Sequence, residues 1–327
     1  MSNIIHPEFP VLVVDDEPGI VNAIRRELNT PPLGRYRYSV EGFTDPAAAL
    51  VRAQEKTFSV VIVDYRMPQM TGLDFLKALY DIQPDCARIV LSGQTDMDAL
   101  VRMINETHIY RFIPKPWSDY FLKSSLSQAI DFRQAVLRNR KMADCLRRQG
   151  AELPAASVGD ADQILVVDDD IDVCHAVARD LTHRSRLDEL FSALHVDANR
   201  SPLLGSMQVS VQISTSPVHA LQMADSVSFA CIIADYKMPM MDGVKLLEAF
   251  IEKQPDCTGI LLSGAAGMDE VIAALDLAHI HSYLAKPWSD FELRTAVAQA
   301  LARRRLLIEN RMLAELCREL KLDCPAD

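Results

Sequence analysis

Val11-Leu12-Val13-Val14-Asp15-Asp16-Glu17 is a short apolar run that stops on two acids. The same design returns as Ile164-Leu165-Val166-Val167-Asp168-Asp169-Asp170. Four or five apolar residues ending in acids have the length of a strand, and a spanning helix would need about 20. Downstream of each run the parallel continues. Val63-Asp64-Tyr65-Arg66-Met67-Pro68 matches Ala234-Asp235-Tyr236-Lys237-Met238-Pro239, and Leu91-Ser92-Gly93 matches Leu262-Ser263-Gly264. Lys115-Pro116-Trp117-Ser118-Asp119 recurs unchanged at Lys286-Pro287-Trp288-Ser289-Asp290.

The spacings agree as well as the words. From Asp64 to Ser92 and from Asp235 to Ser263 is 28 residues, and from either Asp to its lysine is 51. One interval differs: Asp16 to Asp64 is 48 residues and Asp169 to Asp235 is 66, an excess of 18 in the second half. A repeat this long is a duplicated domain and not a solenoid unit. The length of 327 residues agrees, since one domain takes roughly 100–200 residues.

Each half alternates short apolar runs with amphipathic stretches. Strands are expected near 10–14, 38–43, 59–63, 87–91 and 110–113. Helices are expected near 17–29, 45–55, 72–82 and 96–106, with a long one from 118. Pro18 and Pro46 suit first helical turns, and Asp45 and Ser118 suit caps. Such alternation predicts a parallel sheet with helices on both faces. The carboxyl ends of its strands gather Asp15, Asp16, Asp64, Ser92 and Lys115 at one crevice, and their counterparts at another. Three converging carboxylates need a cation, and hard oxygen ligands suit Mg²⁺. A lysine and a hydroxyl beside them can bind phosphoryl oxygens. Taken singly, a strand-end Asp is a helix cap and the lysine an ion-pair partner. Matching spacings in both halves favour a site.

On these motifs each half resembles a receiver domain of bacterial two-component response regulators. The resemblance implies two flavodoxin-like, doubly wound α/β domains with five-stranded parallel sheets, each followed by a long C-terminal helix. It implies Mg²⁺-dependent phosphoryl transfer from a histidine kinase or phosphotransfer protein to Asp64 and Asp235. Asp16 and Asp169 would ligate the metal, Asp15 and Asp168 would assist, and the carbonyls of Arg66 and Lys237 would complete the protein ligands. Lys115, Lys286, Ser92 and Ser263 would meet the phosphoryl group, with Gly93 and Gly264 leaving it space. Phe112 and Tyr283 match the switch aromatic. Gln94 and Ala265 match a position that tunes the lifetime of the acyl phosphate. The family's cis Lys-Pro bond makes Lys115-Pro116 and Lys286-Pro287 cis candidates.

The expected organisation is a first receiver at 1–120, an extended helix at 121–149, a linker at 150–162 and a second receiver at 163–303. Its insertion falls at about 182–207, where Leu187, Leu190, Phe191 and Leu194 suggest a longer first helix. A helix extension and tail then occupy 304–327. Leu306, Asn310, Leu313, Cys317 and Leu320 form a short heptad pattern with Asn at a core position, as used by parallel dimers, so pairing between copies is one expectation. Packing of these leucines on the protein's own receivers is the other.

The net charge of −11 argues against nucleic acid and anionic membrane as partners. Seven Cys without a C-x-x-C pair suggest reduced thiols in the cytoplasm, and no secretory signal opens the chain. No helix-turn-helix, H-E-x-x-H or P-loop follows either half. The expectation is therefore a response regulator without an output domain, and not an enzyme beyond its own phosphorylation and dephosphorylation. It would signal through a downstream protein or self-association. A phosphorelay intermediate or phosphate sink, and a phosphorylation-independent scaffold, are the alternatives.

Overall fold

Strand residues alternate between the two faces of a sheet, so a run that is apolar at every position must be covered on both. β1 (Glu8–Val14) and β3 (Val60–Asp64) are such runs. In a computed structural model, Val11, Val13 and Ile62 pack with Val21, Ile24 and Leu28 of α1 (Pro18–Asn29) and with Leu122 and Leu126 of α4 (Asp119–Arg148). Leu12, Val14, Val61 and Val63 face the other way. They meet Ala49 and Ala53 of α2 (Pro46–Glu55) and Phe75, Leu76 and Leu79 of α3 (Gly72–Ile82). The structure describes residues 7–29, 36–93, 107, 109–117, 119–153, 161–183, 209–264 and 280–322.

By its contacts the chain divides into residues 1–137 and 138–327, a boundary that falls inside α4. In the first unit β2 (Arg37–Phe43), β4 (Ala87–Ser92) and β5 (Arg111–Pro114) complete a sheet of order β2-β1-β3-β4-β5. Every pairing is parallel. The second unit repeats it with β6 (Asp162–Val167), β7 (Val209–Ser214), β8 (Cys231–Asp235), β9 (Thr258–Ser263) and β10 (Ile280–Ala285). Their order is β7-β6-β8-β9-β10, again parallel throughout. Among the described residues it adds helices α5 (Ile171–Thr182), α6 (Pro217–Met223), α7 (Gly243–Lys253) and α8 (Asp290–Glu319). Both units have the doubly wound α/β arrangement of a flavodoxin-like fold.

Local chemistry sets the helix starts. Asp45 caps α2 by accepting from the Ala47 N–H, ahead of Pro46 in the first turn. Ser289 caps α8 in a reciprocal box with Glu292. The expected helix at 96–106 and the cap Ser118 lie outside the described residues, as do most of the linker and of the insertion. α5 stops at Thr182, where His183 turns to extended backbone, so the first helix of the second unit does not simply run on. Leu187, Leu190, Phe191 and Leu194 fall outside the described residues.

In the second unit the end of α4 meets the end of α8. Met142, Ala143 and Leu146 bury against Leu313 and Cys317. Just upstream, Asn139 Nδ2 donates to the Leu306 carbonyl at 3.1 Å and to Glu309 Oε2 at 2.9 Å, and Asn310 Nδ2 donates to Asn139 Oδ1 at 2.8 Å. Upstream positions meet upstream and downstream meet downstream, so the two ends run in the same direction. Asn139 and Asn310 hold equivalent places in the two halves. The pattern expected to join copies is thus occupied within the chain: Asn310, Leu313 and Cys317 are engaged there, while Leu320 is exposed.

Candidate functional site

Asp15 follows β1, Asp64 ends β3, and Lys115 follows β5, so the sheet order brings all three to one edge. Lys115 Nζ lies 2.7 Å from Asp15 Oδ2 and 2.7 Å from Asp64 Oδ1. The other carboxylate oxygens are held by the backbone two residues on. Asp15 Oδ1 accepts from the Glu17 N–H at 3.0 Å, and Asp64 Oδ2 accepts from the Arg66 N–H at 2.9 Å. Both acids are buried. Burial raises the Asp15 pKa, and its bond to Lys115 offsets this only in part. Burial works against the Lys115 ammonium, but its bonds to the two acids outweigh it and lift the pKa above the ordinary lysine value.

The second unit builds the same triangle. Lys286 Nζ lies 2.6 Å from Asp168 Oδ2 and 2.6 Å from Asp235 Oδ1. Asp168 Oδ1 accepts from the Asp170 N–H at 3.0 Å, and Asp235 Oδ2 from the Lys237 N–H at 2.8 Å. Burial raises the Asp168 pKa, and the two acids raise that of Lys286 against the cost of burial.

Ser92 and Ser263 are buried at the ends of β4 and β9. Their carbonyls accept from the N–H of Lys115 at 2.7 Å and of Lys286 at 2.8 Å, which pins each lysine's backbone. A Cβ at Gly93 or Gly264 would meet nothing within 4 Å. Both Lys-Pro bonds are cis. The aromatics differ: Tyr283 donates from its hydroxyl to the Ser263 carbonyl at 3.4 Å, and Phe112 has no such group. Asp16 is half-buried and Asp169 exposed beside the buried acids. Gln94 and Ala265 lie outside the described residues.

Carboxylates and a backbone carbonyl are the donors a hard divalent cation takes. The oxygens that bond Lys115 and Lys286 keep further lone pairs, so the donor chemistry fits Mg²⁺. Among the described residues no three His, Cys, Asp or Glu side chains are gathered into one group, so the expected convergence of three carboxylates is not seen. The fit is therefore one of chemistry, with Asp16 and Asp169 next to their pockets.

Two positions escaped the sequence reading. Gly72 and Gly243 each follow their strand-end acid by eight residues. A Cβ at Gly72 would stand 2.4 Å from the Asp64 carbonyl oxygen, and one at Gly243 only 2.1 Å from that of Asp235. Only glycine lets α3 and α7 start this close to the acid. The equal spacing in both halves was the signal.

The model of the response regulator receiver domain matches residues 11–127 and 194–298, more than half of the chain. The second match begins past β6 and α5, downstream of part of the 18-residue excess, although β6 lies within the second sheet. The hydrogenase transcriptional regulatory protein HoxA of Cupriavidus necator is 39% identical over 154 residues, covering 45% of this chain and 31% of that protein. The C4-dicarboxylate transport transcriptional regulatory protein DctD of Pseudomonas aeruginosa is 31% identical over 133 residues, covering 40% of this chain and 27% of that protein. The chain thus spans less than a third of the length of these two relatives. Among solved structures, the signal receiver domain of an HD domain-containing protein from Pseudomonas fluorescens is 29% identical, with a TM-score of 0.36, covering 39% of this chain and 98% of that one. No helix among the described residues is long and apolar enough to cross a membrane.

Proposed function

Since the chain belongs to the response regulator receiver domain family, we propose that it is a signalling protein with two working phosphoacceptors, Asp64 and Asp235. The observation that carries this reading is the triangle of two buried acids and one lysine, formed twice at the strand ends. One oxygen of Asp64 attacks the phosphorus of a phosphohistidine. An O–P bond forms, the N–P bond breaks, and the imidazole leaves with the electron pair. Charge on the transferring oxygens is met by the Lys115 ammonium, already held between the two acids, and by the Ser92 hydroxyl. Asp235, Lys286 and Ser263 do the same in the second domain.

Mg²⁺ would be held by Asp15, Asp16, Asp64 and the Arg66 carbonyl, or by Asp168, Asp169, Asp235 and the Lys237 carbonyl, and would supply positive charge against the phosphoryl oxygens. Once Asp64 becomes an acyl phosphate, Lys115 loses one of its two carboxylate partners. The lysine turn can then follow the phosphoryl group, which biases an existing equilibrium of the domain. Phe112 and Tyr283 are the aromatics next to that turn. Gln94 can orient a water for hydrolysis and Ala265 cannot, so the two acyl phosphates differ in lifetime.

The domains we assign are receivers at 1–120 and 163–303, with helix extensions after each. The donor is a histidine kinase or a phosphotransfer protein. The signal leaves as altered binding to a partner protein, in the cytoplasm, where the six free cysteines of the described residues suit a reducing setting. The test treats the chain with acetyl phosphate, with and without Mg²⁺, and follows intact mass and size on a column. Metal-dependent phosphoryl uptake is expected. Uptake with no change in size or partner binding would favour a phosphate sink. No uptake would leave the scaffold reading.

A further inference from the structure

Each site lysine is followed two residues later by a tryptophan, and these are the chain's only two. Trp117 Nε1 donates to Glu27 Oε2 at 3.0 Å, and Trp288 Nε1 donates to Asp180 Oδ2 at 3.1 Å. Glu27 lies in the last turn of α1 and Asp180 in the last turn of α5. Each stands eleven residues after the second acid of its strand-end pair. The 18-residue excess falls between Asp180 and Trp288, yet the bond is kept. It also survives a change from glutamate to aspartate, one methylene shorter.

Two physical points argue that the contact is not incidental. A helix C-terminus carries partial negative charge, so an acid in the last turn is disfavoured there unless something else needs it. A half-buried indole N–H needs an acceptor, and a charged acceptor gives a bond about twice as strong as a neutral one. Both indoles pack on the apolar core beside α1 or α5. Each lysine therefore sits between two fixed points. On one side its own N–H bonds the Ser92 or Ser263 carbonyl. On the other side, two residues on, the indole is gripped by the helix-end acid.

We infer that Glu27 and Asp180 are positioning residues for Lys115 and Lys286, acting through the indoles of Trp117 and Trp288. This rests on the phosphoacceptor reading above. A lysine side chain has four rotatable bonds, so its ammonium reaches the acids reproducibly only if its backbone is fixed. Misplacement of a reacting group by about 1 Å can cost on the order of 100-fold in rate. Losing one of two anchors is a smaller fault, and a slowing of about 5- to 10-fold is expected.

The experiment reads the rate of phosphoryl uptake from acetyl phosphate at saturating Mg²⁺ in full chain carrying Asp235→Asn, so that Asp64 alone reports. Glu27→Leu removes the acceptor, Trp117→Phe removes the donor, and Glu27→Gln keeps an acceptor without the charge. The inference expects Glu27→Leu and Trp117→Phe each to slow uptake about 5- to 10-fold, with the double variant no slower than either. Glu27→Gln should stay within about twofold of its parent. The mirrored set, Asp180→Leu, Trp288→Phe and Asp180→Asn in an Asp64→Asn background, should behave alike at Asp235. A lowered melting temperature with unchanged uptake would overturn the inference and leave a packing contact. Additive slowing, or a Glu27→Gln variant as slow as Glu27→Leu, would overturn it too. If neither background takes up phosphoryl while the unsubstituted chain also fails, the phosphoacceptor reading itself falls.

Discussion

The pocket at Asp64 and the pocket at Asp235 use the same acids, lysine and serine, with lysine–acid distances of 2.7 Å in one and 2.6 Å in the other. The outer edges of the two sheets have diverged. On β2, Glu41 is gripped by Arg52 at 2.7 Å and Lys56 at 2.8 Å. The matching position on β7 is Gln212, whose amide reaches Gln163 at 3.4 Å. Beside the pockets, Phe112 stands where Tyr283 donates to the Ser263 carbonyl. Residues that must converge on one point from three strands cannot change singly. Residues at an edge or next to the pocket answer to fewer neighbours.

The largest effect should come from the lysines. Lys115→Ala should slow phosphoryl uptake at Asp64 by about 10²–10³ and leave Asp235 unaffected, and Lys286→Ala should do the reverse. Domain-resolved peptide mapping after brief phosphodonor treatment would read this. Cross-effects of similar size would break the picture of two equivalent pockets. Next comes the helix pairing, where Leu313 and Met142 hold equivalent positions and both are buried. Leu313→Ala should cost about 2–4 kcal/mol in urea unfolding. A loss that appears only at high protein concentration would point to pairing between copies instead.

The glycines test the shared geometry. Gly72→Ala and Gly243→Ala push a methyl into a backbone carbonyl, and each should destabilise its own domain by about 1–3 kcal/mol. Differential scanning calorimetry should show both. Neutral behaviour of either would mean that the helix start can shift.

Glu41 separates the two domains by pH. Its bond to Arg52, with help from Lys56 and against some burial, holds its pKa down at about 2 from an ordinary 4.5. A depressed carboxylate stabilises the fold above the ordinary value, and that stability is lost as pH falls from there toward about 2. Discounted for partial exposure, about 1–2 kcal/mol is at stake. Glu41→Gln should remove the acid-side loss from the first domain's melting profile and make it resemble the second. The smallest effect should be that of Tyr283→Phe, which gives the second domain the first domain's aromatic. The lost hydrogen bond is worth about 0.5–1.5 kcal/mol, read as a small drop in the second domain's melting temperature.

Much of this was legible in the amino-acid order because the repeat doubled every signal. The apolar runs ending in acids predicted strands within two or three residues of those observed, since a run buried on both faces leaves little freedom. Asp15, Asp64 and Lys115 were legible by spacing alone. Gln83 and Gln254 were not. Each uses its amide to bond two backbone carbonyls while accepting a backbone N–H, from Phe58 or Phe229. Nothing local marks a glutamine for that role. The Trp117–Glu27 bond spans 90 residues, and only the fold brings its ends together. The heptad at Leu306–Leu320 suggested pairing between copies or packing on the receivers, whereas Leu313 and Cys317 pack on the end of α4, because an apolar stripe does not name its partner.

The most direct test of two working receivers is intact mass after acetyl phosphate and Mg²⁺ in four proteins. These are the unsubstituted chain, Asp64→Asn, Asp235→Asn and the double variant. The account predicts two phosphoryl additions, one, one and none. A single addition in the unsubstituted chain that vanishes in one variant and persists in the other would contradict it, because one of the two matched pockets would then be silent.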